Sequence, residues 1–215
     1  MIRFLLLFLG VSTVFAQDID TDLLAVKSRM DAIEAFSVDI QLDVDVSFIN
    51  MPTKHAKMIY SKGEQPKFSS SDFVMIPRRG LDFSLQQLFE YPFITVDRGE
   101  ETRDGFTYKA INIIPTDTRA DFSIATLLID TTRVRIAESE INTKKNGTYI
   151  LVFQFEKEDS LLPELVDVNF EIERIKIPLN YMGKDTSIDR KQIKEEGVKT
   201  GKITLIMTNY NIESL

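Results

Sequence analysis

The stretch SVDIQLDVDVSF, residues 37–48, decides the fold class, because apolar and polar side chains alternate along it without a break. A period of two places successive side chains on opposite faces of a β-strand, so the pattern predicts a strand with one dry and one wet face. At about 3.3 Å per residue it would run about 40 Å, well beyond the usual five or six residues. Its apolar face comprises Val38, Ile40, Leu42, Val44, Val46 and Phe48.

Two helices are predicted, one before this strand and one after it. Residues 19–35 carry apolar side chains at spacings of three and four, which is typical of one face of a helix. These side chains are Ile19, Leu23, Val26, Met30 and Ile33. A second, short helix is predicted over residues 84–91, and Pro92 ends it. Its apolar side chains are Leu85, Leu88 and Phe89.

The rest of the chain consists of short apolar and β-branched runs between turn residues, a pattern typical of antiparallel strands. Asn146-Gly147 is a strong hairpin signal, and residues 178–200 form a charged excursion for which we expect no regular structure. The fold predicted is mainly β (α+β), with one strongly curved antiparallel sheet. The predicted strands cover residues 54–62, 67–77, 93–98, 106–115, 121–130, 133–142, 148–156, 165–178 and 202–212.

Residues 1–16, MIRFLLLFLGVSTVFA, are typical of a secretory signal peptide, with Arg3 before an apolar run and Ala16 at the cleavage point. The apolar run is short for a bilayer span, so an uncleaved anchor is the less favoured alternative. Because the chain has no cysteine, no lipid can be attached through an N-terminal one. We therefore expect a soluble, exported domain over residues 17–215.

The composition of the chain disfavours an enzymatic function. The chain has a formal charge of −7, which disfavours nucleic acid as a partner, and its only histidine is His55. Without cysteine, a metal site of imidazole or thiolate ligands is not expected, and neither is a cofactor. We expect His55 to be exposed and the protein not to be an enzyme, although the many carboxylates leave a two-carboxylate hydrolase as a remote alternative.

The apolar face of the sheet and the two helices that cover it allow two arrangements. Either the side chains fill the space between them as a core, or they leave a cavity that a ligand can enter. Hydrophobic periodicity is the same in both cases, so both stay open at this point.

Three stretches resemble a known family. AVKSRMDAIEAFSVDIQ, residues 25–41, resembles the start of mature LolA-type periplasmic lipoprotein carriers, in which an amphipathic helix runs directly into a long strand. Residues 107–155 are similar to the family's succession of strands and turns, and GKITLIMTNYNI, residues 201–212, resembles its final strand. Lys62 stands where the family's carriers have an arginine that helps to hold the lid.

The resemblance implies a half-open barrel with the two helices as its lid, and an apolar cavity that shelters the acyl chains of lipoproteins or lipids. It also implies the periplasm, an inner-membrane donor complex and an outer-membrane acceptor; we expect a monomer. The alternative is an envelope protein that uses the same fold as a sensor or adaptor for protein partners. The predicted cavity lining is Leu23, Val26, Met30, Ile33, Val38, Ile40, Leu42, Val44, Val46, Phe48, Leu85, Leu88 and Phe89.

Overall fold

The computed structural model describes residues 19–72, 86–173, 185–195 and 197–214. The predicted signal peptide, Leu85, and the parts of two predicted strands at residues 73–77 and 174–178 lie outside these residues. In the described part of the chain, no helix has the length and apolar character needed to cross a membrane.

The described residues form twelve strands and three helices. The strands are β1 (Ile33–Asp45), β2 (Ile49–Asn50), β3 (Lys54–Ser61), β4 (Lys67–Ser69), β5 (Phe93–Arg103), β6 (Phe106–Pro115), β7 (Phe122–Asp130), β8 (Arg135–Thr143), β9 (Gly147–Gln154), β10 (Leu165–Ile172), β11 (Ser187–Ile188) and β12 (Lys199–Ser214). The helices are α1 (Thr21–Asp31), α2 (Gln86–Phe89) and α3 (Arg190–Glu195).

Ten strands make one antiparallel sheet in the order β4-β3-β1-β12-β10-β9-β8-β7-β6-β5, and β2 pairs with β11 in a separate ribbon. Strands β5 to β10 follow one another as a meander, and β12 returns to lie between β10 and β1. Within the described residues the edge strands β4 and β5 do not pair with each other, so the sheet stays open. The prediction of a mainly β protein with a curved, half-open antiparallel sheet is confirmed.

Strand β1 is long because it has a partner on each side. Ile40 lies opposite Ala56 of β3 and Met207 of β12, and the pairing runs along most of the strand. Both edges of its backbone are therefore hydrogen-bonded, while its alternate side chains are buried. The strand ends at Asp45, earlier than the predicted Phe48, because a turn with a hydrogen bond from the Ile49 N–H to the Val46 carbonyl follows.

The first helix is shorter than predicted. Residues 19–35 were expected to be helical, but α1 ends at Asp31, and Ile33 already belongs to β1, where it pairs with Ser214. Ile33 is 3% exposed in this extended conformation. Its burial within the sheet and its pairing with the last strand outweigh the helical spacing that links it to Met30.

Two further boundaries differ from the prediction. Strand β5 continues beyond residue 98 to Arg103, because Gly99, with φ +83°, forms a bulge after which pairing with β6 resumes. The charged excursion was expected to be irregular, but its described part contains β11 and α3, and β12 begins at Lys199. The carboxylate of Asp189 accepts hydrogen bonds from two backbone N–H groups in the first turn of α3 and so starts that helix.

One face of the sheet, called here the inner face, carries the core. The register Ile111–Leu127–Ser139–Leu151–Val168 connects β6 to β10 through directly opposed residues, so these side chains share this face. Two buried clusters lie on it. The sheet cluster is Ile33, Phe36, Val38, Ile40, Leu42, Ala56, Met58, Leu151, Leu162, Val166, Val168, Leu205 and Met207. The helix cluster is Leu23, Val26, Leu88, Ile111, Ile113, Ala120, Phe122, Ala125, Leu127 and Ile129.

Candidate functional site

Helix α1 covers the part of the inner face that β6 and β7 form. Leu23 and Val26 are buried in the helix cluster, and the half-buried Met30 packs against the same cluster. The helix begins after Asp20, whose carboxylate accepts hydrogen bonds from the backbone N–H groups of Asp22 and Leu23. The helix therefore lies as a lid on this half of the sheet.

The N-terminal end of α1 is tied to the sheet by Lys109 of β6. Its ammonium lies 2.8 Å from the carboxylate of Asp20 and 2.6 Å from that of Asp22. Hydrogen bonds to these two carboxylates raise the pKa of Lys109. Burial disfavours the ionised form of Asp20, but the hydrogen bonds from Lys109 and the backbone outweigh it and lower the pKa of Asp20. Both shifts favour the ionised forms of Lys109 and Asp20 at neutral pH.

The C-terminal end of α1 is tied by Arg29. Its guanidinium donates hydrogen bonds to the carbonyl of Arg133, to that of Val134 at 3.4 Å, and to that of Asp159 at 3.0 Å. Arg29 therefore joins the lid to the β7–β8 turn and to the loop after β9. Lys62 pairs not with a residue of α1 but with Glu34 at the start of β1, with 2.8 Å between Nζ and Oε1.

A small apolar hollow lies beneath the C-terminal half of α1. Its volume is about 50 Å³. The lid, strands β8 and β9, and the loop after β9 enclose it, with two arginine side chains at its margin. Its lining is Val26, Arg29, Met30, Val134, Arg135, Ile136, Phe153, Phe155, Leu161, Leu162 and Pro163.

The loop after β9 closes this hollow because backbone hydrogen bonds fold it back on the sheet. The Glu164 N–H donates to the carbonyl of Gln154 at 2.8 Å, and the Met207 N–H donates to the carbonyl of Glu164 at 2.7 Å. These bonds place Leu162 and Pro163 against the inner face, where both are buried. The loop is therefore a fixed wall of the hollow.

The predicted lining residues do not all meet in one place. Val26 and Met30 line the hollow. Ile33, Val38, Ile40 and Leu42 pack in the sheet cluster with Val44 beside them; Leu23, Leu88 and Phe89 belong to or pack on the helix cluster; Val46 and Phe48 form a third cluster with Ile49. Leu85 lies outside the described residues. Their role in a ligand-bound state stays a prediction.

Sequence reasoning missed the loop and the arginines. Leu161-Leu162-Pro163 is an apolar triplet in an otherwise charged segment, and this contrast was the available signal. Arg29 is not part of the predicted apolar face of the first helix, and its partners are carbonyl groups more than a hundred residues away. No local pattern indicates such partners.

The described part of the excursion, residues 185–195 and 197–200, lies at the opposite end of the inner face. The ammonium of Lys54, whose side chain is only 2% exposed, lies 2.5 Å from the half-exposed carboxylate of Asp185. Ile193 of α3 packs against the third cluster, and the Asp189 N–H donates to the carbonyl of Phe48 at 2.9 Å. This segment therefore seals the end of the sheet where β1 finishes.

The outer face holds a second hollow of about 690 Å³ between β1, β3, β12 and residues 69–71, and eight of its eleven lining residues are polar. His55 lies at this hollow with its side chain 68% exposed, and its Nδ1 is 3.4 Å from a carboxylate oxygen of Asp72. The prediction of an exposed histidine is confirmed. Among the described residues, no group of three or more His, Cys, Asp or Glu side chains could hold a metal ion.

The chain was compared with known proteins. A crystal structure of a DUF1329 family protein from Desulfovibrio piger is similar over 89% of this chain and 92% of that one, with a TM-score of 0.52 and 11% identity. The protein has a LolA-like fold. An outer membrane lipoprotein-sorting protein domain from Vibrio parahaemolyticus has a TM-score of 0.49 and 9% identity over 89% of this chain and 92% of that one.

A LolA superfamily protein from Nitrosomonas europaea has a TM-score of 0.48 and 9% identity, over 90% of this chain and 94% of that one. The scores below 0.5 add no argument of their own, and identities this low concern the LolA-like fold alone. No protein-family model and no curated protein matches the sequence.

Proposed function

We propose that this protein is a periplasmic carrier that shelters the acyl chains of lipoproteins or lipids beneath α1. The observation that carries the proposal is the apolar hollow between the lid and the inner face. In this proposal residues 1–16 are removed on export and residues 17–215 act as one monomeric domain. An inner-membrane complex would donate the cargo and an outer-membrane acceptor would receive it.

The structure corresponds to the closed, unloaded form in this proposal. Pockets that bury small ligands usually measure about 300–1,000 Å³, and the hollow of about 50 Å³ is far smaller. Loading therefore requires α1 to move away from β8 and β9. The helix is held by side-chain tethers at its two ends and by the burial of Leu23 and Val26, all of which can be broken and reformed.

The energies of opening the lid and of burying an acyl chain are similar in size. Lifting α1 exposes Leu23 and Val26, which costs about 3–6 kcal/mol at about 1.5–3 kcal/mol for each side chain, and breaking the two tethers adds about 3 kcal/mol. A chain of about twelve carbons that leaves water gains about 0.8 kcal/mol per CH₂, or about 9 kcal/mol in total. Acyl burial can therefore offset the opening of the lid without any specific hydrogen bond, and no catalytic group is needed.

The first test is the content of the protein as isolated. The full chain, exported to the periplasm and purified, is analysed by native mass spectrometry and solvent extraction, and then incubated with an acylated peptide. We expect bound acyl species or uptake of the peptide. A protein that carries no lipid and takes up none would contradict the carrier and favour the sensor or adaptor.

A matched pair of variants on α1 locates the uptake. Met30→Gln places an amide at the hollow, where burial without a partner costs about 1–3 kcal/mol, so acyl binding should weaken on the order of tenfold. Leu24→Gln makes the same kind of change at a side chain that is 43% exposed, and should leave binding unchanged. Equal effects of the two variants would place the acyl chain elsewhere.

A further inference from the structure

A third depression, separate from the one on the outer face, adjoins the apolar hollow beneath α1 and is lined by charged side chains. It is a groove of about 300 Å³ at the end of the sheet where β7 meets β8, called here the arginine groove. Arg135, Phe153 and Phe155 line both the groove and the hollow, so the two share a wall. A ligand with an apolar chain and a polar head could therefore occupy both at once.

Arg135 is held at this shared wall in a fixed orientation. Its guanidinium carbon lies 4.1 Å from the centre of the Phe155 ring, and Nη1 donates to the carbonyls of Lys157 at 3.2 Å and Glu158 at 3.4 Å. Its side chain is 18% exposed. Stacking on one side and carbonyl bonds on the other leave the guanidinium preorganised for a planar oxyanion.

The groove brings two partly buried guanidinium groups to one buried carboxylate. The guanidinium groups of Arg133 and Arg135 lie 3.1 Å and 3.7 Å from one carboxylate oxygen of Asp130, which is buried. The other carboxylates of the groove, Glu156 and Glu158, belong to exposed residues, where solvent weakens their effect. One buried carboxylate therefore faces two guanidinium groups.

The pKa of Arg135 responds to burial first and to the neighbouring charges second. Burial lowers it, the nearby Asp130 raises it, and the positive charges of Arg133 and Arg29 lower it further, with a net decrease. The side chain still remains protonated, as arginine does in proteins. An anion in the groove would relieve the repulsion between the guanidinium groups.

We propose that the arginine groove binds the oxyanion headgroup, phosphate or carboxylate, of an amphiphile whose chain occupies the hollow beneath α1. The inference rests on the proposed function and narrows its substrate class to anionic lipids. Arg135 would hold one oxygen at the shared wall, and Arg133 would exchange its bond to the exposed Glu158 for one to the ligand. Neutral amphiphiles with the same chain would lack both contacts.

The test uses three ligands with one chain length: laurate, dodecyl phosphate and dodecanol. Binding of each to the purified full chain is measured by isothermal titration calorimetry below its critical micelle concentration. We expect at least one of the two anions to bind on the order of tenfold more tightly than dodecanol, because hydrogen bonds between charged groups are worth about 1.5–3 kcal/mol. The better anion identifies the headgroup class, and its advantage should shrink at high salt.

Variants separate headgroup recognition from support of the hollow. Arg135→Gln should abolish the preference of the protein for the anion over dodecanol, and Arg135→Lys should keep part of that preference. Arg119→Gln removes the same charge from an exposed side chain at the other end of β7 and should change nothing. Circular dichroism checks that each variant is folded, and Arg133→Gln replaces Arg135→Gln if the latter is not.

The outcomes distinguish this proposal from the carrier function. If the wild-type protein binds all three ligands equally, or if Arg135→Gln weakens all three equally, the headgroup site is refuted while the carrier stands. If none of the three binds, both fail.

Discussion

Replacing Arg29 by methionine should loosen the lid without unfolding the sheet. The change removes the guanidinium that bonds the carbonyls of Arg133, Val134 and Asp159 and keeps an apolar stem beside the hollow. Methionine and arginine have similar helix propensities, so the helix itself should be little affected. The variant thus changes the attachment of α1 more than its intrinsic stability.

The size of the effect follows from these bonds. A hydrogen bond to a charged group contributes about 1.5–3 kcal/mol. One of the three bonds is long, at 3.4 Å, and the bond to Asp159 is exposed. We therefore expect a total loss of about 2 kcal/mol, which corresponds to a rise of about 30-fold in the open population of the lid.

Amide hydrogen exchange measures this population directly. The backbone N–H groups of α1 should exchange about 30-fold faster in Arg29→Met, while those of β1 keep their wild-type rates, because β1 opens only with the whole sheet. Lys27→Met is the control on the same helix, since Lys27 pairs with Asp31 of α1 itself, and it should change the rates only slightly. Unchanged exchange in α1, or equal acceleration in α1 and β1, would refute the role of Arg29 as a tether.

Three further predictions, which use four variants, test other contacts. Lys109→Met should lower the free energy of unfolding at pH 7 by about 1 kcal/mol and make it depend less on pH in acid. The reason is that the lowered pKa of Asp20 contributes stability that is lost as the pH falls below 3.8. Urea unfolding at pH 7 and pH 3 measures both effects. Asp185→Ala should destabilise the protein more than Lys54→Met, because only the former leaves a buried ammonium without its carboxylate; chemical denaturation that finds the reverse order would contradict this. Gly147→Ala should cost about 2–3 kcal/mol or more, since φ is +93° and the new Cβ would lie 2.0 Å from a backbone carbonyl oxygen of β10; a melting temperature equal to wild type would exclude this clash.

Strand β1 could be predicted from the sequence because its signal is local. Alternate residues from Val38 to Leu42 are apolar, and the same residues are buried in the sheet. The boundary at Ile33 could not be predicted in this way. Its spacing from Met30 fits a helix, and its state is decided by pairing with Ser214, at the far end of the chain.

The candidate site was only partly predictable for a related reason. Periodicity identifies the buried face of each element, but it does not say which faces meet. Val26 and Val38 both lie on apolar faces, yet one packs against β6 and β7 and the other against β3 and β12. Leu162 lines the hollow because backbone hydrogen bonds fold the loop after β9 back on the sheet. Residue type alone does not predict these hydrogen bonds.

The most direct measurement of acyl binding beneath the lid is photo-crosslinking with a twelve-carbon fatty acid that carries a diazirine at its methyl end, followed by peptide mapping. We expect adducts on the segment that contains Val26 and Met30 and on the segment from Phe153 to Pro163, with competition by unlabelled laurate. Adducts confined to the outer face near Asp39 and Lys57, or labelling that laurate does not reduce, would contradict a binding site between α1 and the sheet.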